Sequence, residues 1–268
     1  MKKSTVLAVL FGITGILNAQ DAVTHQFDSF KGKCTAATLD GSKVFETQAP
    51  AIVTAQKCVE VNPAKTYILS GEFKAAGQGT GLYFGIISYD EDMQEIKAQN
   101  INAFENTLTE LSEPAKAGSR TIKVRSAANW KAVPANNAAV QTKFLHINAD
   151  ENFKDLPNFN LLPVKAINEN EITLGAPLSK AYPAGTKVRM HRAGSGWTYC
   201  AAANKPLSVE WTTFTGKIKG SGFHRKGGEF YDRFRPGTRL VVPALTLRNT
   251  GKEPVKVFFR NLKLEEMK

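Results

Sequence analysis

The residue types best suited to hold a ligand are concentrated in one stretch, GSGFHRKGGEFYDRFRPGTR at residues 220–239. It interleaves Phe223, Phe230, Tyr231 and Phe234 with His224, Arg225, Lys226, Arg233 and Arg235. From Lys219 to Arg239, six basic residues stand against two acidic ones, a local charge of +4. Ring faces stack on the C–H-rich faces of sugars, and guanidinium forks pair with hydroxyls and carboxylates. The set therefore suits a glycan, and its charge favours an acidic one. Glycines at 220, 222, 227 and 228 make residues 221–237 a loop, and long loops on a rigid scaffold commonly carry function. The same composition fits a loop whose rings tuck beneath it while its charges stay solvated, so both readings stand. Trp197 and Tyr199, in GSGWTYC at 194–200, are either a second stacking platform or a seal between two units.

Catalytic chemistry finds little support. Gly194-Ser195-Gly196 follows Ala193, where a nucleophile elbow needs a glycine. There is no HExxH, and Gly77, Gly79 and Gly81 lie between strands rather than opening a helix, which sets aside a phosphate-binding loop. His25, His146, His191 and His224 are scattered along the chain. No catalytic residue and no metal ligand is assigned. Asp90, Glu91 and Asp92 lack the glycine and terminal glutamate of an EF-hand loop and read as a solvated turn. Of Cys34, Cys58 and Cys200, the first two could form a disulfide worth about 3 kcal/mol on a chain-entropy estimate, or all three could be free thiols.

The elements that must position these residues are almost all strands. In VEVNPAKTYILSGEFK, residues 59–74, Tyr67, Leu69, Gly71 and Phe73 share one face, while Thr66, Ser70, Glu72 and Lys74 share the other. That alternation predicts a strand with one face on a core. Leu82 to Tyr89 and Glu95 to Ala98 read as a hairpin. The best helix candidate is short, Ala103 to Leu111, with Phe104, Leu108 and Leu111 as its apolar positions. From 115 to 205 the texture changes to a β unit with Trp130 in its core; Val188 and Met190 face inward, and Lys187, Arg189 and His191 form a basic outer row. Strands resume at 210–220, 238–249 and 255–266. Pro243 marks its strand as an edge or a bulge, and Trp211 is read as half-buried and structural. Turn signals about every ten residues point to an antiparallel sandwich or barrel.

Three of these segments, VNPAKTYILSGEFKA at 61–75, EWTTFTGKIKG at 210–220 and VFFRNLKLEE at 257–266, resemble strands of the carbohydrate-binding module family 4/9-like domains. The resemblance covers about 20–112 and 206–268. It implies an all-β fold, a jelly-roll β-sandwich of the galactose-binding-like group, here with a small inserted β-barrel-like module at 113–205. It also implies glycan binding. The family's structural calcium, tied to acidic residues in the last strand, finds Arg260 and Asn261 there instead. No cofactor is assigned, and structural calcium is left without support.

Lys2 and Lys3, the apolar run Val6 to Leu17 and small Ala19 predict a secretory signal peptide over residues 1–19. Cleavage leaves 249 of the 268 residues and, with two lysines gone, lowers the net charge from +11 to +9. The run is too short to span a bilayer comfortably, and no later segment is apolar enough to cross one. Positive charge favours anionic partners; export to the periplasm, cell envelope or medium sets nucleic acid aside. The leading expectation is a secreted, non-catalytic bacterial glycan-binding protein. Its ligand-binding residues would be Phe223, His224, Arg225, Tyr231, Arg233, Phe234 and Arg235, with Trp197 and Tyr199. A cell-envelope protein that holds a protein partner is the alternative, followed by a polysaccharide hydrolase or lyase.

Overall fold

A computed structural model describes residues 23–131, 143–225, 230–251 and 253–268; the expected signal peptide lies outside them. In chain order the strands are β1 (Thr24–Phe27), β2 (Phe30–Gly32), β3 (Cys34–Leu39), β4 (Ser42–Ala49), β5 (Ala51–Ala55), β6 (Val59–Glu60), β7 (Thr66–Ala75) and β8 (Thr80–Tyr89). A short helix α1 (Ala98–Ile101) leads to β9 (Thr109–Glu110), β10 (Thr121–Lys123), helix α2 (Ala128–Lys131), β11 (Lys143–Ile147), β12 (Leu161–Asn168), β13 (Glu171–Leu174) and β14 (Lys187–Arg192). The chain ends with β15 (Thr198–Pro206), β16 (Thr212–Lys219), β17 (Leu240–Asn249) and β18 (Val255–Glu266).

Two antiparallel sheets form the jelly-roll sandwich. One runs β16-β7-β18-β4-β3 with β1 also on β18; the other runs β15-β8-β17-β5-β2 with β6 also on β17. The alternation read in β7 holds: Tyr67, Leu69 and Phe73 are buried between the sheets, and Phe73 meets Phe84 from β8 and Phe259 from β18. Each such fully buried side chain contributes about 2 kcal/mol relative to exposure. Pro243 lies in a central strand rather than at an edge. β17 pairs with β8 along its length, but on its other side the partner changes from β6 at Val241 to β5 at Ala244. The proline sits in that break, where a missing N–H costs no ladder bond.

The third sheet, β10-β13-β12-β11-β14-β9, closes on itself. Leu111 bridges Val124, the Ser112 amide donates to the Lys123 carbonyl, and the Arg125 amide donates to the Glu110 carbonyl. The result is a six-stranded barrel with its own core, in which Trp130, Leu145, Ile172, Val188 and Met190 are buried and Trp130 Nε1 donates to the Thr107 carbonyl. β15 pairs with β8 in the sandwich, so the chain re-enters it at Thr198.

The helix expected over Ala103 to Leu111 is not formed: that stretch holds a single 3-10 turn at Glu105–Thr107 and strand β9, and α1 lies before it. The hydroxyl of Thr107 accounts for this. It donates to the Phe104 carbonyl and accepts from the Met190 amide, a local alternative that competes with helical bonding. Phe104 and Leu111 still enter the barrel core, whereas Leu108 is only half-buried. Cys34, Cys58 and Cys200 are all free thiols, so the Cys34–Cys58 bridge is not formed.

Candidate functional site

The loop at 221–237 begins and ends on the sandwich. The Gly222 amide donates to the Phe234 carbonyl, the Phe234 amide to Gly220 and the Lys219 amide to Asp232, so the two limbs of the loop lie side by side. This clamp decides which residues can meet a ligand. Phe234 is fully buried, its ring 5.7 Å from Tyr67 in an edge-on contact. Arg235 is also buried: its guanidinium donates to the carbonyls of Ile96 at 2.6 Å, Gly196 at 3.0 Å and Ser195 at 3.1 Å. Phe234 and Arg235 are therefore scaffold and not ligand contacts.

Lys226 lies outside the described residues, and the remaining described residues of the expected set fall into three groups. Phe223 is half-buried, with its ring 5.0 Å from Phe153 of the barrel; Arg225 lies over the same Phe153 at 5.1 Å while its carbonyl accepts the Glu105 amide. These two dock the loop on the barrel. His224 stacks on Phe230 at 3.9 Å, and Arg233 covers that ring at 4.4 Å. Tyr231 is 46% exposed and its ring lies 6.4 Å from Tyr199.

Tyr199 is the centre of the best-formed ring cluster. Trp197 lies 6.1 Å away and Tyr83 of β8 lies 4.9 Å away, both edge-on, and Arg248 of β17 covers Tyr83 at 4.6 Å. Tyr83 alternates with Leu82 and Phe84, which are fully buried between the sheets, so it stands on the outer face of its sheet. The register of β15 slips between Thr198 and Ala202, and the residues in that slip carry Tyr199 to Tyr83. The platform thus gathers Trp197, Tyr199 and Tyr231 from the expected set with Tyr83 and Arg248, which sequence reading missed. The run TGLYFGIISY is apolar on both faces and does not alternate, so it did not single out Tyr83; Arg248 had no signal either, because only strand pairing brings it there.

Next to this platform, burial pushes the Cys200 thiol up to about 12. On the outer face of the other sheet, the Glu72 carboxylate accepts from Asn261 Nδ2 at 2.8 Å and from Arg260 Nε at 2.7 Å, and Arg260 stacks on half-buried Trp211 at 4.3 Å. The Asn261 bond, with Arg260 adding to it against the effect of burial, holds the Glu72 carboxyl below its ordinary range. Among the described residues no group of three His, Cys, Asp or Glu side chains could hold a metal ion. Asp90 uses Oδ1 to accept the Asp92 and Gln94 amides in its turn. The basic outer row is corrected in part: Lys187 is exposed, but Arg189 and His191 are buried beneath α1 and the 148–160 loop.

No protein-family model and no curated protein matches the sequence. Among solved structures the chain is similar to the CBM22-1 xylan-binding domain from Paenibacillus barcinonensis Xyn10C, with a TM-score of 0.31 and 9% identity over 91% of this chain and 86% of that one. It is also similar to infectious bursal disease virus Gt strain, with a TM-score of 0.17 and 10% identity over 100% of this chain and 48% of that one. Both likenesses are too distant to carry an argument. No helix among the described residues is long and apolar enough to cross a membrane.

Proposed function

We propose that this is an exported, non-catalytic glycan-binding protein of the family 4/9-like kind, whose ligand lies across Tyr83, Tyr199, Tyr231 and Trp197. The observation that supports this reading is the clustering of Tyr83, Trp197 and Tyr231 around Tyr199, with Arg248 over Tyr83. Rings clustered in this way offer apolar faces and edges to the C–H groups of a sugar, and Arg248 and Arg233 add donors for hydroxyls or carboxylates. The basic balance of the chain favours an acidic polysaccharide over a neutral one.

Affinity electrophoresis through gels containing acidic or neutral polysaccharides tests the proposal. The wild type should be retarded by at least one acidic gel. The double variant Tyr83→Ala, Tyr199→Ala should run as in a gel without polysaccharide, and Arg225→Ala, which alters the barrel side of the loop, should stay retarded. Retardation that survives loss of both tyrosines would exclude the platform as the binding site.

A further inference from the structure

The seam between barrel and sandwich holds a pair of buried histidines that the binding platform does not use. His146 on β11 and His191 on β14 are both fully buried, and their rings stack in near-parallel planes 3.6 Å apart. They lie on the outer side of the barrel strands, opposite the core residues Leu145 and Met190. α1 covers them with an uncharged sequence and accepts His191 Nδ1 at the Gln99 carbonyl. The 148–160 loop covers them with Asp150, Asp155, Phe153 and Asn158.

The charged groups that face the pair are Arg189 and Asp155; Asp150 turns its carboxylate to the Asn152 and Lys154 amides. Arg189 is buried beside His191 on β14, with Nε 3.1 Å from His191 Nε2. Asp155 is the carboxylate that could neutralise an imidazolium, but Arg189 holds both of its oxygens, at 3.0 and 2.8 Å, and also donates to the Asp150 carbonyl. A second positive charge here would meet Arg189 and the other imidazole in a site closed to water. Both rings are therefore kept neutral. Burial first, then the neighbouring His146 and Arg189, holds His191 well below its ordinary range; burial lowers His146 to about 3, with Asn158 and Asp155 opposing.

The stack also supports the loop contact. Phe153 lies between Arg189, at 4.5 Å, and the loop residues Phe223 and Arg225. We infer that the His146–His191 stack is an acid-operated latch: proton uptake by the pair opens the seam and frees the 221–225 limb from the barrel, while the sandwich stays folded. The window follows from the sign of the linkage. Each ring is neutral when closed and titrates near 6.5 when exposed, so closure is fully stable above that pH and weakens as pH falls below it, by up to tenfold per pH unit for each ring. Asp150, whose carboxyl the Lys154 and Asn152 amides hold below its ordinary range, stays ionised through this window.

Hydrogen exchange, corrected for the intrinsic pH dependence of amide exchange, reads the opening directly. The Glu105 amide on the Arg225 carbonyl and the Asn158 amide on the Asn100 carbonyl report on the seam, and amides between β8 and β17 report on the sandwich. Between pH 6 and 5 the opening equilibrium of the two seam amides should rise by more than tenfold, approaching about 100-fold, with the β8–β17 amides unchanged. His146→Phe keeps an aromatic ring on His191 and removes one proton, so its rise should not exceed about tenfold. A wild-type rise of less than tenfold, or equal acceleration in seam and sandwich, overturns the latch; the wild-type measurement decides this even where the variant fails to fold. None of these readouts needs a ligand, so a failed glycan assay leaves the inference intact and the reverse is also true.

Discussion

Gly85 lies against the backbone of Thr198: a Cβ on Gly85 would sit 1.9 Å from the Thr198 carbonyl oxygen. On the other side of the same strand, a Cβ on Gly216 would sit 2.3 Å from the Cys200 carbonyl. β15 therefore passes between the edges of the two sheets only because β8 and β16 each present a glycine, and that passage brings Tyr199 to Tyr83. Obstruction by backbone cannot be relieved by a rotamer change. Gly85→Ala should destabilise the protein by about 3 kcal/mol or more, read as a lower urea midpoint. Gly77→Ala, whose nearest neighbour would be a Val255 methyl at 3.9 Å, should stay within about 0.5 kcal/mol of wild type.

Arg235 and Arg233 are two positions apart and should behave as different kinds of residue. Arg235→Met removes three hydrogen bonds to the Ile96, Ser195 and Gly196 carbonyls in a buried setting, a loss of about 3 kcal/mol. Arg233→Ala removes an exposed guanidinium from the face of Phe230 and should cost about 0.5 kcal/mol. Denaturant melts of the two variants in parallel check the contrast, and equal costs would contradict the burial difference.

The strands were readable because one-sided burial imposes a period of two. The alternation of Tyr67, Leu69 and Phe73 against Thr66, Glu72 and Lys74 specifies which face is inside before any partner is known, although Ser70 on the second face is itself buried. The barrel interior was equally legible in Val188 and Met190. Arg189 and His191 kept the phase but not the exposure expected of it, because α1 and the 148–160 loop cover that side of the barrel. Neither covering segment carries a periodic pattern. Phe234 and Arg235 were misread for a related reason: a basic aromatic composition is the same whether a ring points into a core or out of it, and only the bond from the Gly222 amide to the Phe234 carbonyl fixes the direction.

Glu72 should contribute to stability in a pH-dependent way. Its folded carboxyl is held below the ordinary 4.5 by the Asn261 bond and by Arg260, so its contribution is present above that range and is lost as pH falls through the folded value. The group is partly exposed, which limits the effect to about 1 kcal/mol. Glu72→Gln should lower stability at pH 7 by roughly that amount and leave it near wild type at pH 2 to 3. A difference that stays constant across pH in urea melts would sink this assignment.

Asp155 should be far more costly to alter than any surface carboxylate. It is the carboxylate partner of Arg189, whose side chain is 1% exposed. Asp155→Ala leaves a buried guanidinium uncompensated and should cost about 3 to 5 kcal/mol. Replacing both partners, with Arg189→Met added, removes the orphaned charge and should recover a large part of that loss. Thermal melts of the two singles and the double give the coupling directly; additive losses would mean that the pair does not act as a unit.

Binding at the platform should separate into a stacking part and a charge part. Tyr83→Ala removes the ring that joins Tyr199 to Arg248 and should weaken retention on an acidic polysaccharide about tenfold, with little dependence on salt. Arg248→Ala should weaken it by a similar or smaller factor at low salt, and the difference from wild type should shrink as ionic strength rises and screens the missing charge. The two dependences differ because dispersion contacts are insensitive to counterions while an exposed guanidinium on a carboxylate is not. Affinity electrophoresis at about 20 and 300 mM salt, which spans the change in Debye length, checks both variants in one experiment. Identical salt behaviour in the two variants would remove Arg248 from the binding surface and leave the rings as its only support.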